Sequence, residues 1–457
     1  MSKISDFLGK NARKNVEGAI LKAKDNQQYH ALLSFTEARA LERADAIDRG
    51  EIKGRLAGVP FVVKDNFLAF GAPTTAASRM LEDFKAPLQA TAVEKLEAEG
   101  AICIGKANLD AFAHGGSTEN SAFGPTKNTY DMTRVAGGSS GGSAVVTALG
   151  IVPFALGSDT GGSIRQPASF NGVVGVKPTY GTVSRYGVVA MASSTDVIGV
   201  FATNVADAEL IMDIMAGQDC KDMTTLPDFF TPQQTVQSGL KIGLIKESMS
   251  ASVDAEVRAR TLEYAQRLRD AGHVVDEVSL PIVNYTLAMY YIIVPAELSS
   301  NLARYDGVRY GHRAEGFKTL AELYGKSRDE GFVTENKRRI MIGSYVLSSG
   351  FFDAYYLQAQ KARTLLINEF NVLFKDYDVL LGPTTPTPAF KLGENTADPI
   401  KMYLADIMTV PASLAGLPAI SMPAGTSASG LPIGVQLVGQ RRSDAQILAL
   451  ARSLEVA

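Results

Sequence analysis

Two glycine clusters that carry serines are the feature that most constrains the fold of this chain. The clusters span residues 137–143 (GGSSGGS) and 159–165 (DTGGSIR), so that Ser139 and Ser163 lie 24 positions apart. Gly-Ser tracts in linkers are flexible, but these clusters border apolar segments such as residues 144–149. We therefore interpret both clusters as turns inside a packed core.

The second cluster has the composition of a site for acyl transfer. Glycine lacks a Cβ and tolerates positive φ, so Gly161 and Gly162 can turn successive backbone N–H groups toward one point beside Ser163. Backbone donors arranged in this way stabilise a developing oxyanion. The clusters therefore indicate chemistry on a serine hydroxyl.

The base for such a serine is expected to be Lys64. The chain has only four histidines, and none adjoins either cluster. Lys64 follows the apolar run of residues 58–63, which predicts a buried strand with this side chain at its end. Desolvation and hydroxyl partners can lower a lysine pKa from about 10.4 to near 7, at a cost of roughly 4 to 5 kcal/mol. A neutral Lys64 could then exchange a proton with Ser163 through Ser139.

Three shorter motif matches in the clusters are weaker. The G-x-S-x-G match around Ser139 needs a strand before it, and residues 128–134 have no strand pattern. The DTG triplet at residues 159–161 is that of aspartic proteases, which need a second such triplet, and the chain has none. A phosphate-binding loop would need a lysine where Ser143 stands.

The order of apolar runs and helical patterns predicts an α/β fold. Between residues 56 and 200, short apolar runs alternate with helical stretches, as in a mostly parallel sheet with helices on both faces. Further apolar runs predict strands at residues 240–245, 274–278, 379–381, 419–422 and 435–438, with a helix at 253–271. We expect these strands to share one sheet, which gives a single α/β/α domain over residues 1–457 with a large mixed, mostly parallel sheet.

Three parts of this domain are expected to differ in role. Residues 1–55 have a helical pattern and are expected to form a docking layer. Residues 56–200 form the core that carries both glycine clusters. Residues 285–374 have a long helical pattern and are expected to cap the serines.

Composition limits which partners, which cellular compartment and which cofactors are expected for this chain. A net charge of −3 disfavours a nucleic-acid surface on this chain, because phosphate contacts need basic stripes. Cys103 and Cys220 lie in such different settings that free thiols in a reducing cytoplasm are expected. No apolar stretch reaches the roughly 20 residues that span a bilayer, and no export signal is expected. The four scattered histidines predict no metal on this chain.

The three elements Lys64, GGSSGGS and DTGGSIRQP together resemble those of the amidase signature family of serine hydrolases. The resemblance implies that Ser163 is the nucleophile, Ser139 a relay preceded by a cis peptide bond, and Lys64 the base. It also implies an oxyanion hole formed by backbone N–H groups, with two supporting side chains. The N–H groups are those of Thr160, Gly161, Gly162 and Ser163, and the supports are Asp159 and Arg165.

Further stretches resemble one branch of that family, the glutaminase subunits of tRNA-dependent amidotransferases. These stretches are residues 115–124 (GGSTENSAFG), 176–181 (VKPTYG), 300–311 (SNLARYDGVRYG), 337–341 (KRRIM) and 402–406 (MYLAD). The resemblance covers nearly all of the chain from about residue 56. It implies glutamine as substrate, with Arg339 on the α-carboxylate and Asp406 on the α-ammonium. One fixed cation and one fixed anion are what a zwitterion needs, and arginine offers a bidentate fork.

The same resemblance implies a protein that works inside a complex. Ammonia from glutamine would pass to a partner subunit that uses ATP and Mg, so no cofactor is expected on this chain. Subunits B and C would complete a heterotrimer, and misacylated Glu-tRNA(Gln) and/or Asp-tRNA(Asn) would bind through a partner. A free-standing amidase of another small amide is the alternative, and a catalytically silent scaffold is the third hypothesis. The Arg339 and Asp406 pair argues against the free-standing amidase, because only a zwitterionic substrate needs both charges. The catalytically silent scaffold is disfavoured because Lys64, Ser139 and Ser163 are intact.

The chain departs from this branch at one position beside the expected pocket. His114 stands in the sequence FAHG, where the branch usually has FAMG. We expect His114 either to pack or to bind substrate as a neutral hydrogen-bond partner. In the second case its protonation near pH 6.5 would raise KM.

Overall fold

The fold is built on one large mixed sheet. A computed structural model describes residues 2–227, 230–233 and 235–455. The strands of these residues are β1 Leu32–Phe35, β2 Pro60–Lys64, β3 Ile102–Ala107, β4 Phe154–Asp159, β5 Val174–Lys177, β6 Val197–Ala202, β7 Lys241–Ile245, β8 Val274–Val278, β9 Val379–Pro383, β10 Ala419–Thr426 and β11 Pro432–Gly439. They lie side by side in the order β1-β3-β2-β4-β6-β5-β10-β11-β9-β7-β8. Early and late strands thus share one sheet, as the sequence predicts.

The strand directions differ from the mostly parallel arrangement that the sequence predicts. Strands β3, β2 and β4 are parallel to one another, and so are β9, β7 and β8. The other neighbouring pairs are antiparallel. Parallel neighbours need a long crossover connection, whereas a short loop such as residues 427–431 between β10 and β11 joins antiparallel ones. The sheet is therefore mixed, with parallel pairing confined to two groups of three strands.

Helices cover both faces of this sheet. The α-helices of the described residues are α1 Ala12–Asp25, α2 Glu37–Asp48, α3 Thr91–Ala98, α4 Gly141–Ala148, α5 Arg165–Asn171, α6 Val205–Met215, α7 Ala255–Asp270, α8 Thr286–Asn301, α9 Leu320–Gly331, α10 Thr334–Val346, α11 Leu357–Leu373, α12 Pro399–Leu404, α13 Val410–Leu414 and α14 Asp444–Ser453. On β2, Phe61 and Val63 pack in one hydrophobic cluster and Val62 packs in another. Because side chains alternate along a strand, the core has a layer on each side of the sheet.

The strand that carries Lys64 is buried along its whole length. The five residues of β2, PFVVK, are all buried between β3 and β4. β2 and β4 are parallel, so their carboxyl ends lie at the same edge of the sheet. Lys64 ends β2, and the second glycine cluster begins at the end of β4. The sheet therefore brings the lysine to the cluster.

The outer parts of the chain follow the predicted pattern with two differences. Helices α8 to α11 form the expected helical region, but residues 302–319 interrupt it with a short 3-10 turn and irregular chain. In the N-terminal layer, α1 packs against α2, and β1 between them adds an antiparallel edge strand to β3. This four-residue strand is too short to stand out in a helical pattern. A docking role for residues 1–55 stays a prediction.

Candidate active site

Lys64 and Ser139 are in direct contact in the interior. Both side chains are fully buried, and the Nζ atom lies 2.7 Å from the Oγ atom of Ser139. The Oγ atom of Ser158, at 3.0 Å, is the second close partner of Nζ. Burial lowers the pKa of Lys64 to about 7, although nearby acids such as Asp110 partly oppose this. The ammonium is therefore readily deprotonated, as a general base requires.

Ser139 lies on a tightly held backbone turn. The peptide bond between Gly138 and Ser139 is cis. The backbone N–H of Asp110 donates to the carbonyl of Ser139 at 3.3 Å. The next residue, Ser140, donates its N–H to the carbonyl of Ser163 at 3.2 Å. This hydrogen bond joins the two glycine clusters directly.

Ser163 lies on the accessible side of this arrangement. It is 8% exposed, whereas Lys64 and Ser139 are fully buried. Among the described residues, no acceptor bonds the backbone N–H groups of Gly161, Gly162 or Ser163. Unpaired N–H groups beside a serine hydroxyl are available to an oxyanion.

Neither glycine of this turn could be another residue. A Cβ on Gly161 would lie 2.7 Å from the hydroxyl oxygen of Tyr290, and a Cβ on Gly162 would overlap the hydroxyl of Thr409. Tyr290 is on α8, so the helical region does reach the second cluster. Glycine is therefore required for the close approach of these side chains.

Asp159 and Arg165 hold the second cluster in shape. They form a fully buried ion pair, and Asp159 also accepts the backbone N–H of Ile164 at 3.2 Å. Burial alone would raise the pKa of Asp159, but Arg165 lowers it overall. Arg165 also donates to the carbonyl of Thr409 at 2.9 Å. The pair therefore stabilises the turn and the segment that packs on it, in the supporting place that the resemblance implies.

Arg339 is held by one carboxylate and two aromatic rings. Its Nε atom donates to Glu335 at 2.8 Å, and its guanidinium lies over the rings of Tyr291 and Tyr403. Those two rings stack with centroids 3.8 Å apart. Nε makes the one hydrogen bond found for this side chain among the described residues. The two terminal nitrogens are thus available to a bidentate acceptor.

Asp406 has a buried carboxyl oxygen that no described residue hydrogen-bonds. Its Oδ1 atom is buried and lacks a hydrogen-bond partner within the part of the chain that the structure describes. Burial raises its pKa to about 7, and Arg339 partly offsets this. Its carbonyl accepts the N–H of Thr409 at 3.0 Å, and Thr409 packs on Gly162. The structure therefore brings Asp406 to the second cluster with its Oδ1 atom unpaired among the described residues.

His114 is buried beside the same site and has one free ring nitrogen. Asn336 donates to its Nδ1 atom at 2.5 Å, so Nε2 carries the proton. Nε2 is buried without a partner among the described residues. Burial lowers the pKa of His114 well below 6.5, and the positive charges of Arg339 and Lys64 lower it further. The expectation that this imidazole titrates near pH 6.5 is therefore wrong, because it is desolvated among cations.

Sequence reasoning missed several side chains of the site, among them Ser158 and Tyr290. Ser158 contacts Lys64, and Tyr290 packs on the second cluster. Ser158 comes directly before the cluster on β4, so the parallel pairing of β2 with β4 could have indicated it. Tyr290 is separated from the cluster by more than a hundred residues, and only its hydroxyl in an apolar helix distinguishes it in the sequence.

The described residues contain neither a metal cluster nor a membrane-spanning helix. No group of three or more histidine, cysteine or acidic side chains in residues 2–227, 230–233 and 235–455 could hold a metal ion. No described helix is long and apolar enough to cross a membrane.

The mixed sheet and the buried lysine–serine contact at its edge define a hydrolase of amides. The chain belongs to the amidase family, whose sequence profile, described as Amidase, matches residues 15–448. The A subunit of glutamyl-tRNA(Gln) amidotransferase from Koribacter versatilis is 52% identical over 443 residues, which cover 95% of this chain and 92% of that protein.

Two solved structures extend this likeness to the fold. The crystal structure of the A subunit of glutamyl-tRNA(Gln) amidotransferase from Thermotoga maritima matches with a TM-score of 0.82 and 41% identity, covering 99% of this chain and 94% of that chain. A second solved structure, described as a vestigial protein complex that reveals the evolutionary origins of an s-triazine catabolic enzyme, matches with a TM-score of 0.86 and 31% identity. That match covers 99% of this chain and 98% of the other.

Proposed function

We propose that this chain is the glutaminase subunit of a tRNA-dependent amidotransferase. The observation that carries the proposal is the buried Oδ1 atom of Asp406, which has no partner within the described part of the chain, together with Arg339, whose terminal nitrogens make no hydrogen bond there. A buried charge without a partner is costly, so the site is completed by a ligand with one ammonium and one carboxylate. Free glutamine has both, and its side-chain amide is the bond that the serines would cleave.

Acylation starts from neutral Lys64. Ser163 Oγ attacks the side-chain carbonyl carbon of glutamine, its proton passes to Ser139, and the Ser139 proton passes to Lys64 Nζ. The N–H groups of Thr160, Gly161, Gly162 and Ser163 stabilise the tetrahedral oxyanion. Lys64 then returns its proton through Ser139 to the leaving nitrogen. The C–N bond breaks, ammonia leaves and a glutamyl ester remains on Ser163.

Deacylation uses the same groups in reverse. Lys64, again neutral, takes a proton from water through Ser139, and the resulting hydroxide attacks the ester carbonyl. The oxyanion collapses, Ser163 regains its proton and glutamate leaves. His114 contributes a neutral Nε2–H donor that completes the substrate pocket. Its bond to Asn336 fixes the tautomer that donates.

The ammonia is used by other subunits of a complex. We propose a heterotrimer with subunits B and C, in which a partner binds the misacylated tRNA together with ATP and Mg. The net charge of −3 supports a tRNA contact through a partner, and the Koribacter versatilis and Thermotoga maritima relatives are named as the A subunit of glutamyl-tRNA(Gln) amidotransferase. Because its product feeds translation, we place the complex in the cytoplasm.

The test is ammonia release from glutamine by the chain alone and with candidate subunits B and C. We expect stoichiometric glutamate and ammonia with partners present, and ammonia incorporation into Glu-tRNA(Gln) or Asp-tRNA(Asn) when ATP and Mg are added. If the chain hydrolyses simple amides but releases no ammonia from glutamine, either alone or with any candidate subunit, it is a free-standing amidase.

A further inference from the structure

Gln166 bridges two neighbouring loops of the proposed site. It is the second residue of α5 and is fully buried. Its Oε1 atom accepts the backbone N–H of Gly138 at 2.8 Å. Its Nε2 atom donates to the carbonyl of Gly116 at 2.7 Å. One side-chain amide therefore satisfies a donor on one loop and an acceptor on the other.

The first of these loops carries the relay serine. Gly138 directly precedes Ser139, whose Oγ atom contacts Lys64. The bond from Gly138 to Gln166 is an additional anchor for this turn, besides the bond from Asp110 to the carbonyl of Ser139. Gln166 is thus linked through one hydrogen bond to the backbone that positions Ser139.

The second loop forms the wall that faces Asp406. A Cβ placed on Gly116 would lie 3.3 Å from the Oδ2 atom of Asp406 and 3.5 Å from the Nε2 atom of Gln166. Gly116 therefore fits between the carboxylate and the amide with little free space. A displacement of the Gly116 carbonyl would move this wall toward or away from Asp406.

We infer that Gln166 is a positioning residue that fixes the glutamine-binding wall at Gly116 relative to the relay serine. The inference rests on the proposed function, because it names what the bridge does for that substrate. An amide suits this place since it offers one acceptor and one donor at its two ends. An ionised glutamate could still accept from Gly138 but could not donate to Gly116.

The decisive variant is Gln166→Glu, assayed for ammonia release from glutamine in the complex with partner subunits. At pH 8.5 the ionised side chain leaves the Gly116 carbonyl without its donor, so we expect KM to rise about 10- to 100-fold. The bond to Gly138 remains, so kcat should stay within about threefold of wild type. The Gln166→Met variant loses both bonds and should lower kcat as well as raise KM.

The pH dependence of KM in Gln166→Glu distinguishes a positioning role of Gln166 from a general structural defect. Burial raises the pKa of a glutamate, and a protonated glutamate again has one donor and one acceptor. The ratio of KM in Gln166→Glu to KM in wild type should therefore fall toward one as pH decreases from 8.5 to 6. A ratio independent of pH, or a loss confined to kcat, would overturn the inference.

Two further variants keep the test informative if Gln166→Glu folds poorly. Gly116→Ala narrows the same wall without touching the Gly138 bond, so KM for glutamine should rise about tenfold; an unchanged KM would contradict the proposal. Asn171→Asp is the matched control, because Asn171 is a buried amide on the same helix that bonds the carbonyls of Ala136 and Pro167. Asn171→Asp should lower stability and leave KM and its pH dependence as in wild type. If this control shows the same pH-dependent rise in KM as Gln166→Glu, the inference is rejected.

These outcomes differ from a failure of the proposed function. If wild-type complex releases no ammonia from glutamine, the proposed function fails. If wild type is active and Gln166→Glu, Gly116→Ala and wild type share one KM, only the positioning role fails.

Discussion

The Nζ atom of Lys64 lies 2.7 Å from the Oγ atom of Ser139, and neither side chain reaches solvent. Burial removes the water that would stabilise the ammonium, so the pKa of the lysine falls to about 7. The acids Asp110, Asp159 and Asp196 oppose this only in part. Near neutral pH the lysine therefore changes between proton donor and acceptor at little cost, which suits a group that must do both in one turnover.

The first prediction concerns the pH dependence of kcat. Lys64 must be neutral to act as the base, and it is protonated below about pH 7. We expect kcat for glutamine hydrolysis to decrease as pH falls through about 7 and to be flat above it. Lys64→Arg should be inactive at every pH, because arginine does not deprotonate in this range. Activity in the arginine variant would rule out the lysine base.

The second prediction concerns the nucleophile. Ser163→Ala should lower glutamine hydrolysis by about three orders of magnitude or more. The fold should be intact, since this partly accessible hydroxyl contributes little to packing. The measurement is single-turnover ammonia release together with a thermal unfolding curve. Residual activity above about a tenth of wild type would move the nucleophile to Ser139 or Ser140, since the acyl-enzyme could then form without Ser163.

The third prediction concerns the ammonium partner. Asp406→Asn should weaken glutamine binding by roughly 2 to 4 kcal/mol, because the substrate ammonium is left desolvated without a counter-charge. In wild type, Asp406 is protonated below about pH 7, so KM should rise as pH falls through that value. The asparagine variant should lack this rise. An unchanged KM and pH profile would exclude Asp406 from binding.

The fourth prediction concerns the carboxylate partner. Arg339→Gln should also weaken glutamine binding by roughly 2 to 4 kcal/mol, since the bidentate donors to the α-carboxylate are lost. Hydrolysis of a simple aliphatic amide without the zwitterion should be no slower than in wild type. If glutamine keeps its KM in both this variant and Asp406→Asn, the enzyme is a generic amidase.

The fifth prediction concerns His114. His114→Met removes a neutral donor, so KM for glutamine should rise about two- to tenfold, the loss of one hydrogen bond. The pH dependence of KM near pH 6.5 should not change, because burial lowers the pKa of the wild-type imidazole well below that value. Identical KM values in variant and wild type would show that His114 only packs.

Local pattern was enough to predict most elements of the sheet. The apolar run before Lys64 predicts a strand, and β2 ends at that residue. The runs at 274–278 and 379–381 coincide with β8 and β9 within a few residues. The run at 379–381 is readable because a buried strand needs apolar side chains on both faces, which is a local requirement. The strand directions were not readable, because they depend on which distant strands pair.

The candidate site also has features that local sequence predicts and features that depend on tertiary contacts. The two glycine clusters can be recognised from the sequence as parts of the site, since glycine permits a close approach of the backbone to other groups. Tyr290 could not be singled out, because its role arises from a contact with residues far along the chain. Ser158 could have been inferred from the pairing of β2 with β4, and Gln166 was visible only as part of the stretch DTGGSIRQP. The pKa of His114 was predicted to lie near 6.5, but burial lowers it well below that value and Arg339 lowers it further; both effects come from tertiary packing.

The sequence by itself determined that a lysine would end a buried strand and that two serines would lie on glycine turns, because these features follow from local polarity and backbone freedom. The tertiary structure decided that Lys64 contacts Ser139 and that the pKa of Lys64 falls to about 7. It also decided that the Oδ1 atom of Asp406 is buried without a partner among the described residues. Those properties depend on burial and on the distances between charges, which exist only once strands distant in the chain lie in one sheet.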